Sequence, residues 1–157
     1  MADTPSPVAA IVEHSTAREA QVIDIFKHIQ STLDVTPHLL RLGRLFSETV
    51  LIDVDGHEFY LTFEKGRITS IAEGPSGKTP WRFALRTDAD ALEKFWRARP
   101  EPGFHDVFGL VKIGRGRIDG DILSLVKNLR FFKKVLGLAR AKEELAASAL
   151  NRSQGAT

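Results

Sequence analysis

Apolar residues first recur at helical spacing. Val22, Ile23, Phe26, Ile29 and Leu33 lie three and four residues apart up to about Asp34, on one face of an amphipathic helix. Thr16 with Glu19 three residues on has the capping-box pattern, so the helix is predicted to start there. Thr36-Pro37 predicts a second, short helix with Leu39, Leu40 and Leu42 inside and Gly43 as its stop. The period then falls to 2. Val50, Ile52 and Val54 lead to Asp55-Gly56, a strong hairpin dipeptide; Phe59, Leu61 and Phe63 follow and turn at Lys65-Gly66. Ile68 and Ile71 mark a third strand. After the loop 73–80, Trp81, Phe83 and Leu85 alternate with Arg82, Ala84 and Arg86 in a fourth. Such closely spaced hairpins predict an antiparallel meander with one wet face.

Beyond the meander, Thr87 followed by Asp90 predicts the start of a helix carrying Leu92, Phe95 and Trp96, ended by Pro100 and Pro102. Phe104, Val107 and Phe108 predict one more short helix, and residues 111–118 a fifth strand. Gly120 supplies a permissive turn and Asp121 a cap for a long helix over 122–138. On a helical wheel Ile122, Leu125, Leu129, Phe132, Val135, Leu136 and Leu138 cover about 200°, against the roughly 100° stripe of a surface helix. Lys127, Arg130 and Lys134 share the narrow opposite face. A helix this apolar has a second surface to satisfy besides the core: a ligand cavity, a partner or a membrane. The predicted class is α+β, with helices gathered mainly on one face of the sheet.

Composition narrows the functions. A chain of 157 residues with 43% hydrophobic and 27% charged content reads as one soluble domain, expected over 15–150 between a disordered lead-in, 1–14, and a flexible tail, 151–157. A net charge of +2 is too small to argue for nucleic acid. There is no cysteine, so disulfides, thiolate metal sites and cysteine nucleophiles are excluded. No apolar run approaches the length of a membrane span, and Met1 to Glu13 lacks the basic start of a signal peptide; a cytoplasmic location is the expectation.

Few motifs carry chemistry. Ala72 to Thr79 fits a relaxed phosphate-loop pattern ending in Gly77-Lys78-Thr79, but Pro80 deletes the next amide and strand residues come directly after, so an ordinary hairpin loop is expected. Gly114, Gly116 and Gly120 resemble a dinucleotide fingerprint without the parallel strand it needs afterwards. Asp53-Val54-Asp55-Gly56 resembles the start of a calcium loop, but its glycine comes too early and the distal glutamate is missing, so a hairpin turn is expected. His14, His28, His38, His57 and His105 show no metal-ligand spacing. No catalytic residue, metal or cofactor is therefore expected. The aromatic residues stand out instead. Phe83, Phe95, Trp96, Phe104, Phe108, Phe131 and Phe132 lie in elements expected to converge near the last helix, either as plain core or as the lining of an apolar ligand site. The basic residues Lys127, Arg130 and Lys134 are candidates for contact with anionic headgroups.

Between residues 22 and 136 several local patterns resemble the sterol carrier protein type 2 (sterol-binding) family. Leu42-Gly43-Arg44-Leu45-Phe46 precedes the first strand, and Asp55-Gly56 and Lys65-Gly66 give the hairpins. Phe83 and Leu85 lead through Asp88 and Asp90 to Leu92, and Gly116-Arg117-Ile118-Asp119-Gly120-Asp121 runs into Leu125 and Leu129. Gly116 departs from the apolar strand residue usual there. The resemblance implies a five-stranded sheet covered by helices around an apolar tunnel for lipids or fatty acyl groups, with no catalytic motif. With it, Phe83, Phe95, Phe104, Phe108, Leu125, Leu129 and Phe132 become the candidate walls, and a hydrophobic small molecule or lipid the expected partner. Two alternatives stand beside this carrier reading. One is a lipid-associated accessory subunit presenting a lipophilic intermediate to partner enzymes, as in quinone synthesis; the other is an enzyme on a hydrophobic substrate.

Overall fold

The computed structural model describes residues 7–140, with side chains from residue 20 onward. Helix α1 (Pro7–Asp34) begins nine residues before Thr16, so Thr16 and Glu19 fall within it and the expected capping box is not its start. Pro7 suits a first helical turn because its missing N–H would have no partner there. Residues 7–14 of the expected lead-in are thus helical, while 1–6 and the expected tail 151–157 lie outside the described residues. Helix α2 (Pro37–Leu42) comes next, with Leu39 buried and Leu42, expected inside, exposed.

Strands β1 (Thr49–Val54), β2 (His57–Glu64) and β3 (Arg67–Glu73) pair antiparallel through the two predicted turns. Asp55 and Gly56, like Lys65 and Gly66, take positive φ, as tight hairpin turns demand. A bulge explains the three-residue gap between Ile68 and Ile71. Thr62 faces Ser70 and Phe63 faces Ile68, so Thr69 is extra and both isoleucines meet the core-facing Leu61 and Phe63.

The meander ends at β3. Strand β4 (Phe83–Thr87) pairs with β1, in parallel, and with β5 (Gly116–Gly120), antiparallel, so the sheet order is β3-β2-β1-β4-β5. The class is α+β, with a five-stranded, mostly antiparallel sheet containing one parallel pair. Parallel neighbours need a crossover, so residues 74–82 are no hairpin loop. They cross the helix-free face, where the Tyr60 hydroxyl reaches the Ser76 carbonyl at 3.1 Å. Trp81 lies just before β4 and packs on Leu51, Tyr60 and Ala84, opposite the face taken by Phe83 and Leu85. The predicted alternation therefore fails at Trp81, and the outer face is only partly wet.

Helix α3 (Ala89–Phe95) is capped by Asp88, not Thr87: the Ala91 amide donates to its carboxylate at 2.8 Å. The predicted strand over 111–118 divides. Asp106 accepts from the Gly109 amide at 2.7 Å and starts α4 (Val107–Lys112), which buries Val107 and Leu110 at helical spacing; β5 is confined to Gly116–Gly120. Gly116 is small because Leu110 backs it: a Cβ there would lie 3.1 Å from the Leu110 Cβ.

The predicted long last helix is two helices, α5 (Ile122–Lys127) and α6 (Leu129–Leu136). Asn128 separates them at φ −111°, and its side-chain amide donates to the Ser124 carbonyl at 2.9 Å, competing with regular helix bonding. The 200° apolar arc is thereby split. Helix α5 buries Leu125 and exposes Ile122, Leu123 and Val126; α6 buries Phe131, Phe132, Val135 and Leu136. Gly43 also has a reason other than stopping α2. Its φ is −95°, but a Cβ there would stand 2.4 Å from the Phe131 ring.

Candidate functional site

Between the sheet and the helical layer lies one continuous apolar cluster. Rings meet edge-on through its depth: Phe26 with Phe59 and Trp96, Phe46 and Phe63 with Phe131, and Phe83 with Phe132 at 5.3 Å. The Trp96 indole N–H donates to the Leu136 carbonyl at 3.0 Å, tying α3 to the end of α6. All seven candidate walls join this cluster. Phe83, Phe95, Phe104, Leu125 and Phe132 are buried in it, whereas Phe108 and Leu129 are half-buried at its margin. Phe104 sits near the rim, with the Lys94 ammonium 5.4 Å from its ring centre and the Arg115 guanidinium at 5.9 Å. Phe26, Phe46, Phe59 and Phe63 are not among the candidates that the sequence singles out, although they share the same interior. Helical spacing announces the burial of Phe26, and alternation that of Phe59 and Phe63, but not which other rings they meet; Phe46, between α2 and β1, carries neither signal.

No polar or charged side chain is buried among the described residues, so the interior offers a ligand only dispersion contact and escape from water. Charge is gathered instead at the β4–β5 end of the sheet. Arg86 donates to Asp53 at 2.7 Å and to Asp119 at 2.6 Å, and Arg117 adds a second bond to Asp119 at 2.9 Å. Arg115 donates to Asp88 at 2.8 Å and to Asp90 at 3.1 Å. A cleft of about 440 Å³ opens over this cluster. Its arginines are already engaged by carboxylates, which makes it a clamp between β1, β4, β5 and α3.

The Arg115 guanidinium holds the Asp88 carboxyl below the usual carboxylate range, and the Ala91 amide adds to the effect; Arg86, then Arg117, do the same for Asp119. A depressed folded-state pKa stabilises the fold above the unfolded value and ceases to do so as pH falls through the folded one. Asp88→Ala is therefore expected to cost about 1 kcal/mol at pH 7 from the lost cap, plus the lost ion pair, and less as pH falls below the ordinary value of 3.8. Urea titrations at neutral and acid pH check this; an equal loss at both would show that the ionised carboxylate contributes nothing.

A second cleft, of about 510 Å³, lies on the outer face between Thr49, Thr62, Trp81, Arg82 and Asp121, and is of mixed polarity. The phosphate-loop-like stretch leads from a strand into a crossover and then another strand, with no helix N-terminus to receive a phosphate. Lys78→Ala should change stability and binding by less than about 0.5 kcal/mol. Saturable, magnesium-dependent ATP binding by the wild type, lost in this variant, would contradict that expectation. Asp53 and Asp55 serve the β1–β2 turn and its neighbours: Asp53 accepts from the Gly56 amide and Asp55 from the Ala89 amide. No group of three or more potential metal-ligating side chains comes together among the described residues.

A mixed five-stranded sheet, one face under helices and an all-apolar layer between, defines a class of α+β domains built around an apolar interior. Within that class the chain has the sterol carrier protein 2 fold. A crystal structure of sterol carrier protein 2 matches 74% of this chain and 94% of its own, with a TM-score of 0.59 and 13% identity. A conserved hypothetical protein from Thermus thermophilus, described as possibly a sterol carrier protein, matches over 74% and 86%, with a TM-score of 0.53 and 13% identity. The ubiquinone synthesis protein UbiJ-SCP2 matches over 77% and 96%, with a TM-score of 0.53 and 17% identity. No family model and no curated protein matches the chain.

Proposed function

We propose that this protein is a carrier that sequesters a hydrophobic ligand (a lipid, fatty acyl or sterol-like molecule) between its sheet and its helices. The observation that supports it is the interior itself, continuous, ring-rich and without a buried polar or charged side chain among the described residues. The proposed walls are Phe83, Phe95, Phe104, Phe108, Leu125, Leu129 and Phe132. They provide contact area but no proton donor, acceptor or nucleophile, so the reading is non-catalytic. At about 25 cal/mol per Å² of apolar surface removed from water, one acyl chain or ring system supplies micromolar binding after the costs of association. A cytoplasmic location belongs to the same reading. Among the described residues no helix is long and apolar enough to cross a membrane.

Mass spectrometry of organic extracts of the purified protein, with displacement of a fluorescent fatty-acid probe, tests the proposal. A stoichiometric lipid or saturable probe binding is expected; an empty extract together with no probe binding would sink it. A second reading is an accessory subunit that presents a lipophilic intermediate to partner enzymes. It is favoured by the fold likeness to a protein of ubiquinone synthesis. Enzymes retained with the protein during gentle purification, together with a bound biosynthetic intermediate, would select it over a free carrier.

A further inference from the structure

Helix α5 leaves Ile122, Leu123 and Val126 exposed by 52, 58 and 52%, although Leu125 between them is buried. At about 100° per residue, Ile122, Val126 and Leu123 occupy a single arc of about 100°, with Lys127 some 40° beyond its edge. One residue further on, α6 turns Arg130, Lys133 and Lys134 outward. Lys133 pairs with Asp106 at 3.7 Å, but among the described residues Lys127, Arg130 and Lys134 form no ion pair. The acidic residue at the start of α5, Asp121, is occupied by the Ser124 amide at 3.1 Å and by Arg82 at 3.6 Å. Lys127 thus borders an aliphatic ridge, and Arg130 and Lys134 add exposed positive charge on the next helix, none of it paired among the described residues.

We propose that α5 docks on the surface of an anionic lipid bilayer. Ile122, Leu123 and Val126 enter the boundary between headgroups and acyl chains, while Lys127, Arg130 and Lys134 meet the anionic headgroups. The chemistry of the ridge favours lipid over a protein partner. Protein interfaces concentrate their binding energy in aromatic and arginine anchors seated in pockets, whereas the ridge of Ile122, Leu123 and Val126 is aliphatic and free of aromatic residues. Docking would also place α5, whose inner face carries Leu125, a proposed wall of the interior, against the lipid surface. That consequence rests on the carrier reading, but the docking does not.

Full-length protein is sedimented with vesicles of phosphatidylcholine alone or equimolar with phosphatidylglycerol, at low and high salt. Binding is expected on the anionic vesicles, weakened by salt. Replacing Lys127, Arg130 or Lys134 singly by Gln should lower affinity about fivefold. The combined variant Ile122→Ser, Leu123→Ser, Val126→Ser should lower it at least about tenfold, with unchanged circular dichroism and thermal unfolding. Equal binding to both vesicle types, indifference to salt, or wild-type binding by the combined variant would each overturn the proposal. So would a wild-type dimer in ultracentrifugation that the combined variant dissolves, since the ridge would then belong to a second copy. Docking by a protein with neither a lipid in its extract nor uptake of the fatty-acid probe would leave this inference standing and sink the carrier reading. Probe uptake without docking would do the reverse.

Discussion

Phe26→Ala is expected to remove about 3–5 kcal/mol of folding stability, the usual range for truncating a packed phenylalanine. Phe26 is fully buried and meets Phe59 at 5.4 Å and Trp96 at 6.1 Å, so it joins α1 to the sheet and to the end of α3. Phe132 is equally buried, edge-on to Phe83, and serves as the contrast. If its wall borders a ligand space, Phe132→Ala enlarges space that the ligand already uses. It should then cost less than Phe26→Ala and alter the ranking of apolar ligands by length. Denaturant titrations of both variants, paired with displacement of a fluorescent fatty-acid probe, measure the two effects. Should Phe132→Ala lose full core-like stability while the wild type never takes up the probe, the helix is plain core and the carrier proposal fails.

Gly120→Ala should be strongly damaging although it replaces only a single hydrogen by a methyl group. The residue has φ +88°, where a side chain costs roughly 1–2 kcal/mol. Its Cβ would also stand 2.7 Å from the Arg82 carbonyl oxygen and 2.7 Å from the Trp81 ring. That carbonyl accepts from the Asp121 amide at 2.9 Å, so displacing it loosens the β4–β5 pair and the start of α5 together. A loss of about 2–4 kcal/mol, or roughly 5–15 °C in Tm, is expected. Gly77→Ala is the control, because a Cβ there meets nothing within 4 Å and its φ is not positive. A Tm for Gly120→Ala as high as for Gly77→Ala would remove this account of the turn.

The same turn shows how the site is legible in part. Gly120 and Asp121 are readable as turn and cap because both signals are local, and Asp121 does accept from the Ser124 amide. The helical stretch after the turn is not readable in the same way. Residues 122–138 carry an unbroken helical period, but the period says nothing about which apolar positions receive a neighbour. Asn128 breaks the helix, Leu125 finds the core, and Ile122, Leu123 and Val126 do not. The seven candidate walls are legible as apolar and convergent. That Phe83 meets Phe132, while Phe131 instead reaches Phe46 and Phe63 over Gly43, depends on contacts between elements far apart in the chain.

By itself the sequence determined the elements whose signals act over a few residues. Asp55-Gly56 and Lys65-Gly66 can turn a chain at positive φ, and alternation on either side selects the register that buries Phe59, Leu61 and Phe63. The α+β class and the resemblance to sterol carriers come from the order of such elements. Only the tertiary structure decided that β4 lies parallel to β1. A strand's apolar face is compatible with either direction, and the choice was made by the crossover over Tyr60 and by the Arg86 clamp to Asp53 and Asp119. Those contacts join residues more than fifteen positions apart, where periodicity carries no information and the free energy of packing the whole sheet selects the partner.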